Sequence, residues 1–272
     1  MEENKKLFKK EARGTDAETG IRYCCFGEGK KTMAVVPGLT IGFTTDNAQA
    51  LGEIFSDFTD DYTVYVFDVR EAVPADYTLR RMGEDLSVAM KNLGLKNVFL
   101  YGCSMGGMES ICVAAAHPEL VEKLVVAASA CKANETSDAV IGSWVDLAKA
   151  GKCRELTTDM GQKIYSKAFY EANKDAFAAM ADGLTGESLT RFFNTAAAIV
   201  NMDLTGEAAA VRCSVLVLGS EGDQVLTAAA SAEIAQITGG ELYLYGEEYP
   251  HAVFDEAPDF RNRVKAFFDA EA

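Results

Sequence analysis

The stretch Asn97-Val-Phe-Leu-Tyr-Gly-Cys-Ser-Met-Gly-Gly-Met-Glu-Ser110 joins a short apolar run, a Gly-x-Ser-x-Gly turn and the start of an Ala-rich helix. Such a turn lifts a serine hydroxyl out of a strand-to-helix corner, where Gly102 and Gly106 leave room for the backbone to bend sharply. A serine hydroxyl is a weak nucleophile near neutral pH, so Ser104 needs a base within hydrogen-bond reach, and that base needs an acid to orient it. The chain has two histidines. His117 closes the helix that Ser104 begins, ~20 Å away at the helical rise, and is read as a structural or surface residue. His251 follows the β-prone run Leu242 to Tyr245 and a short loop, which puts it at the carboxyl end of a strand, the end where open α/β sheets bind ligands. Glu221 and Asp223 follow another buried run, Ser214 to Leu218; Asp223 is the preferred acid and Glu221 the reserve. The order Ser, Asp, His then suits acyl transfer. An oxyanion formed on attack needs amide donors, and the N–H of Met105 at the helix start and of Leu39 after Pro37-Gly38 are the candidates.

The elements that must position these residues alternate. Thr32–Val36, Tyr62–Phe67, Val98–Tyr101, Val121–Ala128, Ser214–Leu218 and Leu242–Tyr245 read as strands, with helical periodicity between them, the pattern of a mostly parallel sheet covered on both faces. Residues 5–12 and 19–26 are expected as an antiparallel pair at one edge. From 134 to 207 only helical periodicity is found, over Val140–Ala150, Arg154–Phe169, Lys174–Met180 and Ser188–Met202. The chain is therefore expected as a core of residues 1–133 and 208–272, with an all-helical insertion at 134–207 after the sixth strand. Trp144, Phe169, Phe177, Phe192 and Phe193 in that insertion suggest an apolar pocket.

Bulk properties narrow the function. The 272 residues are 49% hydrophobic and 25% charged, the balance of a soluble chain with a sizeable core. A net charge of -15 argues against nucleic acid and anionic membrane surfaces as partners. The first residues lack the apolar centre of a secretion signal and no run is long enough to span a membrane, so a cytoplasmic location is expected. The seven cysteines are odd in number, show no Cys-x-x-Cys spacing and fall mostly in apolar runs, as reduced buried thiols do. No metal and no cofactor is expected, and the partner is a small-molecule substrate.

Taken together, Gly102-Cys-Ser-Met-Gly-Gly107, Pro37-Gly38-Leu39, Phe67-Asp68-Val-Arg70, Val215-Leu-Val-Leu-Gly219 with Asp223, and His251-Ala-Val-Phe254-Asp-Glu256-Ala-Pro258 resemble the α/β-hydrolase fold superfamily, in particular esterase and lactonase-like members with a helical cap. The likeness covers nearly the whole chain. It implies a sheet of about eight strands, Ser104 as nucleophile, Asp223 as acid, His251 as base, and the Leu39 and Met105 amides as oxyanion hole. Pro37 and Glu71 depart from the family's usual histidine and glycine. The expected activity is hydrolysis of an ester, lactone or thioester through an acyl-enzyme. An acyltransferase or thioesterase with the same triad, and a binding protein that kept the scaffold without catalysis, are the alternatives.

Overall fold

The computed structural model describes residues 12–271. Its central strands are near-continuous apolar runs, which only a sheet covered on both faces can bury. Eight strands form one sheet in the order β1-β2-β4-β3-β5-β6-β7-β8. They are β1 (Ala12–Thr15), β2 (Ile21–Phe26), β3 (Lys31–Val36), β4 (Tyr62–Arg70), β5 (Val98–Cys103), β6 (Val121–Ala127), β7 (Ser214–Ser220) and β8 (Glu241–Tyr245). β1 and β2 run antiparallel at one edge, and every pair from β4 to β8 is parallel. The second strand of the expected edge pair is present as β2, but its partner is Ala12–Thr15, which takes in Gly14 and Thr15 where a turn was expected; residues 5–11 of the expected first strand lie outside the described ones.

Helices α1 (Ala48–Ile54), α2 (Leu79–Asn92) and α3 (Met105–Ala116) come before β6; α4 (Glu135–Lys149), α5 (Cys153–Ile164), α6 (Lys167–Asp182), α7 (Gly186–Ala197) and α8 (Thr205–Ala210) fill the chain between β6 and β7; α9 (Ala228–Thr238), α10 (Val253–Glu256) and α11 (Phe260–Asp269) complete it. Three apolar clusters result. Leu86, Met90, Ile111 and Ile234 cover one face of the sheet. Phe55, Phe58, Phe260 and Phe268 cover the other. Ile141, Trp144, Leu156 and Phe192 of the helices after β6 pack with Met105, Met108 and Leu226. The third cluster presses those helices onto the elements that carry Ser104.

One expected helix is two. The periodicity over Arg154–Phe169 is interrupted at Tyr165, which is extended, and Ser166 starts α6 by accepting a hydrogen bond from the Phe169 amide at 3.2 Å. The Ser166 amide in turn donates to Glu256 at 2.8 Å. A capping side chain and a distant carboxylate therefore outweigh the apolar period at this point.

Gly106 shows what the sheet demands of the first turn of α3. A Cβ there would collide with the carbonyl oxygens of Val36 and Pro37, both backbone atoms that cannot swing aside. Gly142, inside α4, has no such neighbour. Gly106→Ala is expected to lower Tm by roughly 5–10 °C through overpacking, and Gly142→Ala to raise it by roughly 2 °C through helix propensity, both read by thermal unfolding.

Candidate active site

β5 ends against β3 and β6, with Gly102 opposite both Val36 and Val126. Ser104 follows at φ 53 and ψ -124, a left-handed conformation rare for a residue with a side chain. Its backbone is held on both sides. The Ser104 amide donates to the Ala127 carbonyl at 2.8 Å, and its own carbonyl accepts from the Gly107 amide at 3.0 Å and the Ser129 hydroxyl at 2.7 Å. The hydroxyl therefore stands at the carboxyl end of the sheet, just ahead of α3.

His251 and Asp223 reach the same place from the loops after β8 and β7. His251 Nε2 lies 3.0 Å from Ser104 Oγ, and Nδ1 lies 2.8 Å from Asp223 Oδ2. Asp223 Oδ1 accepts from the Val225 amide at 2.8 Å and the Leu226 amide at 3.0 Å. Burial works against the Asp223 charge, but the neighbouring His251 ring and these two amides outweigh it and hold the carboxyl below its usual pKa. An ionised carboxylate only accepts hydrogen bonds, so Nδ1 carries the ring proton and Nε2 is left to accept from the Ser104 hydroxyl. The histidine side chain is 4% exposed and the aspartate 1%. The Ala252 amide donates to the Ile164 carbonyl at 2.7 Å, which ties this loop to the end of α5.

The segment after β3 closes the other side. A Cβ on Gly38 would sit 2.9 Å from the Ser104 Cβ, so only glycine lets this backbone come so near. Neither the Leu39 nor the Met105 amide donates to an acceptor among the described residues. The segment is clamped further along: Asp68 accepts from the Thr44 and Thr45 amides, each at 2.9 Å, and Arg191 Nη2 donates to the Ile41 carbonyl at 2.5 Å. The Arg191 guanidinium also lies 3.8 Å from the Phe43 ring centre. Arg191 is a buried residue of α7, and its role was not visible in the sequence because its partner Ile41 lies 150 residues away along the chain. Asp68 was visible only as part of a strand-end motif.

The remaining candidates fall elsewhere. His117 sits between Glu84 and Lys91, each 2.9 Å away, on the outer side of α2 and α3. Glu221 is exposed, while His251 faces Asp223. Of the five aromatic residues expected around a pocket, Trp144 alone lines the cavity beside Ser104; Phe192 is core, and Phe169 stacks on Tyr165 at the surface. That cavity is about 300 Å³ and is bounded by Leu39, Phe55, Ile141, Trp144, Leu226 and Phe254, among others. A second groove of about 310 Å³ shares Leu39, Thr40, Thr44, Ile164 and Tyr165 with it.

A family model described as alpha/beta hydrolase fold matches residues 45–258. The chain belongs to the α/β-hydrolase fold family. Among solved structures of this family, the alpha/beta hydrolase MGS-M2 of a Medee basin deep-sea metagenome superposes with a TM-score of 0.84 at 19% identity, over 96% of this chain and 98% of that one. The enol-lactonase of Burkholderia xenovorans gives 0.77 at 20% identity over 95% and 98%, and an esterase of Exiguobacterium antarcticum 0.77 at 18% over 92% and 96%. At such identities these likenesses establish the fold alone. A Haemophilus influenzae protein named "Putative esterase/lipase" is 37% identical over an 82-position alignment that spans 28% of each chain. No helix among the described residues is long and apolar enough to cross a membrane.

The depressed Asp223 pKa carries a stability signature. Its ionised form is favoured by folding, so the contribution is fully present above the ordinary aspartate pKa of about 3.8 and is lost as pH falls through the lower folded value. The Tm gap between the wild type and Asp223→Asn should therefore be constant from pH 6 to 5 and shrink below about pH 4, measured by thermal unfolding across that range.

Proposed function

We propose that the protein is a serine hydrolase that cleaves a small ester, lactone or thioester through an acyl-enzyme on Ser104. The observation that carries this reading is the unbroken chain of contacts from Ser104 Oγ through His251 to Asp223, at 3.0 and 2.8 Å, on a serine held at positive φ beside a cavity. In the first step His251 Nε2 takes the hydroxyl proton while Oγ bonds to the substrate carbonyl carbon. The carbonyl oxygen gains the negative charge, and the amides of Leu39 and Met105 are assigned to receive it; each such donor is worth about 3 kcal/mol to the transition state. As the tetrahedral species collapses, the bond to the leaving oxygen or sulfur breaks and His251 returns the proton to it. Water then repeats the sequence: His251 removes its proton, the hydroxide bonds to the acyl carbon, and Ser104 leaves with the proton restored.

Asp223 has the task of holding the imidazole in the reactive tautomer and offsetting its positive charge while it carries the extra proton. Its depressed pKa supports this, since a neutral acid could do neither. The helices after β6 are assigned the role of a cap: Ile141 and Trp144 of α4 and Ile164 of α5 line the cavity and limit the water that reaches it. Activity falls on acidification, because a protonated His251 cannot act as base.

Ser104→Ala and His251→Ala are each expected to lower turnover of a small p-nitrophenyl ester by roughly 10⁴-fold or more. Ser104→Ala should leave the thermal transition nearly unchanged, whereas His251→Ala should lower it, because the buried Asp223 carboxylate loses its partner. A fluorophosphonate probe should add its mass to Ser104 in the wild type and fail to do so in His251→Ala. Full activity in either variant, or no labelling of the wild type, would sink the triad.

A further inference from the structure

The cavity beside Ser104 is walled mostly by apolar side chains, with Thr40 and Thr44 after β3, and carries a charged side formed by α10 and α11. There Asp255 and Arg261 contribute the charged groups other than the imidazole of His251. Both belong to one polar cluster. The Tyr165 hydroxyl lies 3.5 Å from Asp255 Oδ2. Burial raises the pKa of Tyr101, Asp255 adds to that and Arg261 opposes it, so both charges act on the same buried phenol of β5, a short way below Ser104. Asp255 is exposed and lines the cavity.

Arg261 differs from the other arginines that reach the interior. Arg191 donates to the Ile41 carbonyl and Arg70 pairs with Asp85, whereas Arg261 lines the cavity, acts on Asp255 through its charge and, among the described residues, makes no ion pair and donates no hydrogen bond. A guanidinium carries five donors in a fixed fork, and on half-buried Arg261 they have no protein acceptor among the described residues, so they are available to a ligand in the cavity. The chemistry of that ligand follows from what surrounds it. A hydrocarbon end would remove water from Arg261 and Asp255 and give nothing back. A carboxylate would set a second negative charge beside Asp255, whose own ionisation burial already resists, with its pKa pushed up to about 6 against the pull of Arg261 and Tyr165. An ammonium group would face the guanidinium. A neutral group that accepts from Arg261 and donates to Asp255 meets both demands.

We propose that this end of the cavity is a subsite for a neutral hydrogen-bonding group, a primary amide or a hydroxyl, carried several bonds from the scissile carbonyl of the substrate. Arg261 and Asp255 are thereby specificity-determining residues. The proposal rests on the serine-hydrolase reading of the same cavity, but binding alone can decide it.

The test uses two sets of esters with chains of four to eight carbons, one with the chain as the acyl part of a p-nitrophenyl ester and one with it as the alcohol part of an acetate ester. Each chain ends in methyl, carboxamide, hydroxyl, carboxylate or trimethylammonium. kcat/KM is measured on the wild type, Arg261→Met and Asp255→Asn, and Kd on Ser104→Ala. In one of the two sets the carboxamide and hydroxyl ends should exceed the methyl end by about tenfold at the favoured length, the effect of one hydrogen bond to a charged group. Arg261→Met should bring that ratio, taken within the variant itself, to about one, and Asp255→Asn should reduce it. A methyl end that equals or beats the neutral polar ends in both sets overturns the subsite, as does a preference for carboxylate or trimethylammonium, or a ratio that survives Arg261→Met. If no ester is turned over at all, the hydrolase reading fails, and the Kd ratios on Ser104→Ala still decide the subsite.

Discussion

Everything in this molecule that could do chemistry depends on the backbone of Ser104 being kept at φ 53. A residue with a side chain costs on the order of 1–3 kcal/mol in such a conformation and keeps it only where its surroundings leave no alternative. Here they leave none. β5 lies between β3 and β6, the Ser104 amide and carbonyl are both bonded, and the carbonyls of Val36 and Pro37 press on Gly106 two residues later. The same packing that strains the serine also aims its hydroxyl away from the sheet. The loops after β3, β7 and β8 need only converge on that point, and parallel strands guarantee that they leave the sheet at the same end.

Charge is distributed with similar economy. The chain carries a net charge of -15, yet the cavity wall is mostly apolar. Where carboxylates are buried near it, each is dealt with differently. Asp223 is stabilised as an anion by His251 and two amides, Asp68 accepts hydrogen bonds from the amides of Thr44 and Thr45 and the Thr45 hydroxyl, and Glu109 receives no such partner. Burial, with a smaller push from Asp68, raises the Glu109 pKa to about 8, so it is neutral at pH 7. Among these buried acids, hydrogen-bond donors reach Asp223 and Asp68 but not Glu109.

The fold was legible in the sequence because its signals are local. Buried parallel strands are continuous apolar runs, and Gly-x-Ser-x-Gly after one of them marks a single kind of corner. Ser104, His251 and Asp223 were legible as candidates for a related reason: each follows a strand, and the chain offers one credible histidine. The structure brings these three side chains into contact, and their catalytic roles are what the proposal adds. Arg191, Arg261 and Asp255 were not legible, since a lone charged residue in a helix normally points to solvent, and only the tertiary fold buries Arg191 and sets Arg261 and Asp255 beside the cavity. The pocket aromatics were over-read, because a helical stripe says which residues are buried but not which cavity they face; only Trp144 reaches the one beside Ser104. The break at Tyr165 and Ser166 escaped notice because Glu256, which helps to fix it, is distant in sequence.

The central claim is that an ester's acyl group passes through a covalent bond to Ser104, made possible by His251. Rapid acid quenching during turnover of a p-nitrophenyl ester with a bulky, slowly released acyl group, followed by peptide mass analysis, tests it directly. The acyl mass should appear on the peptide containing Ser104, at the rate of the first burst of p-nitrophenol, and be absent from His251→Ala. Steady turnover with no acyl mass on Ser104, or with that mass on another residue, would contradict the account.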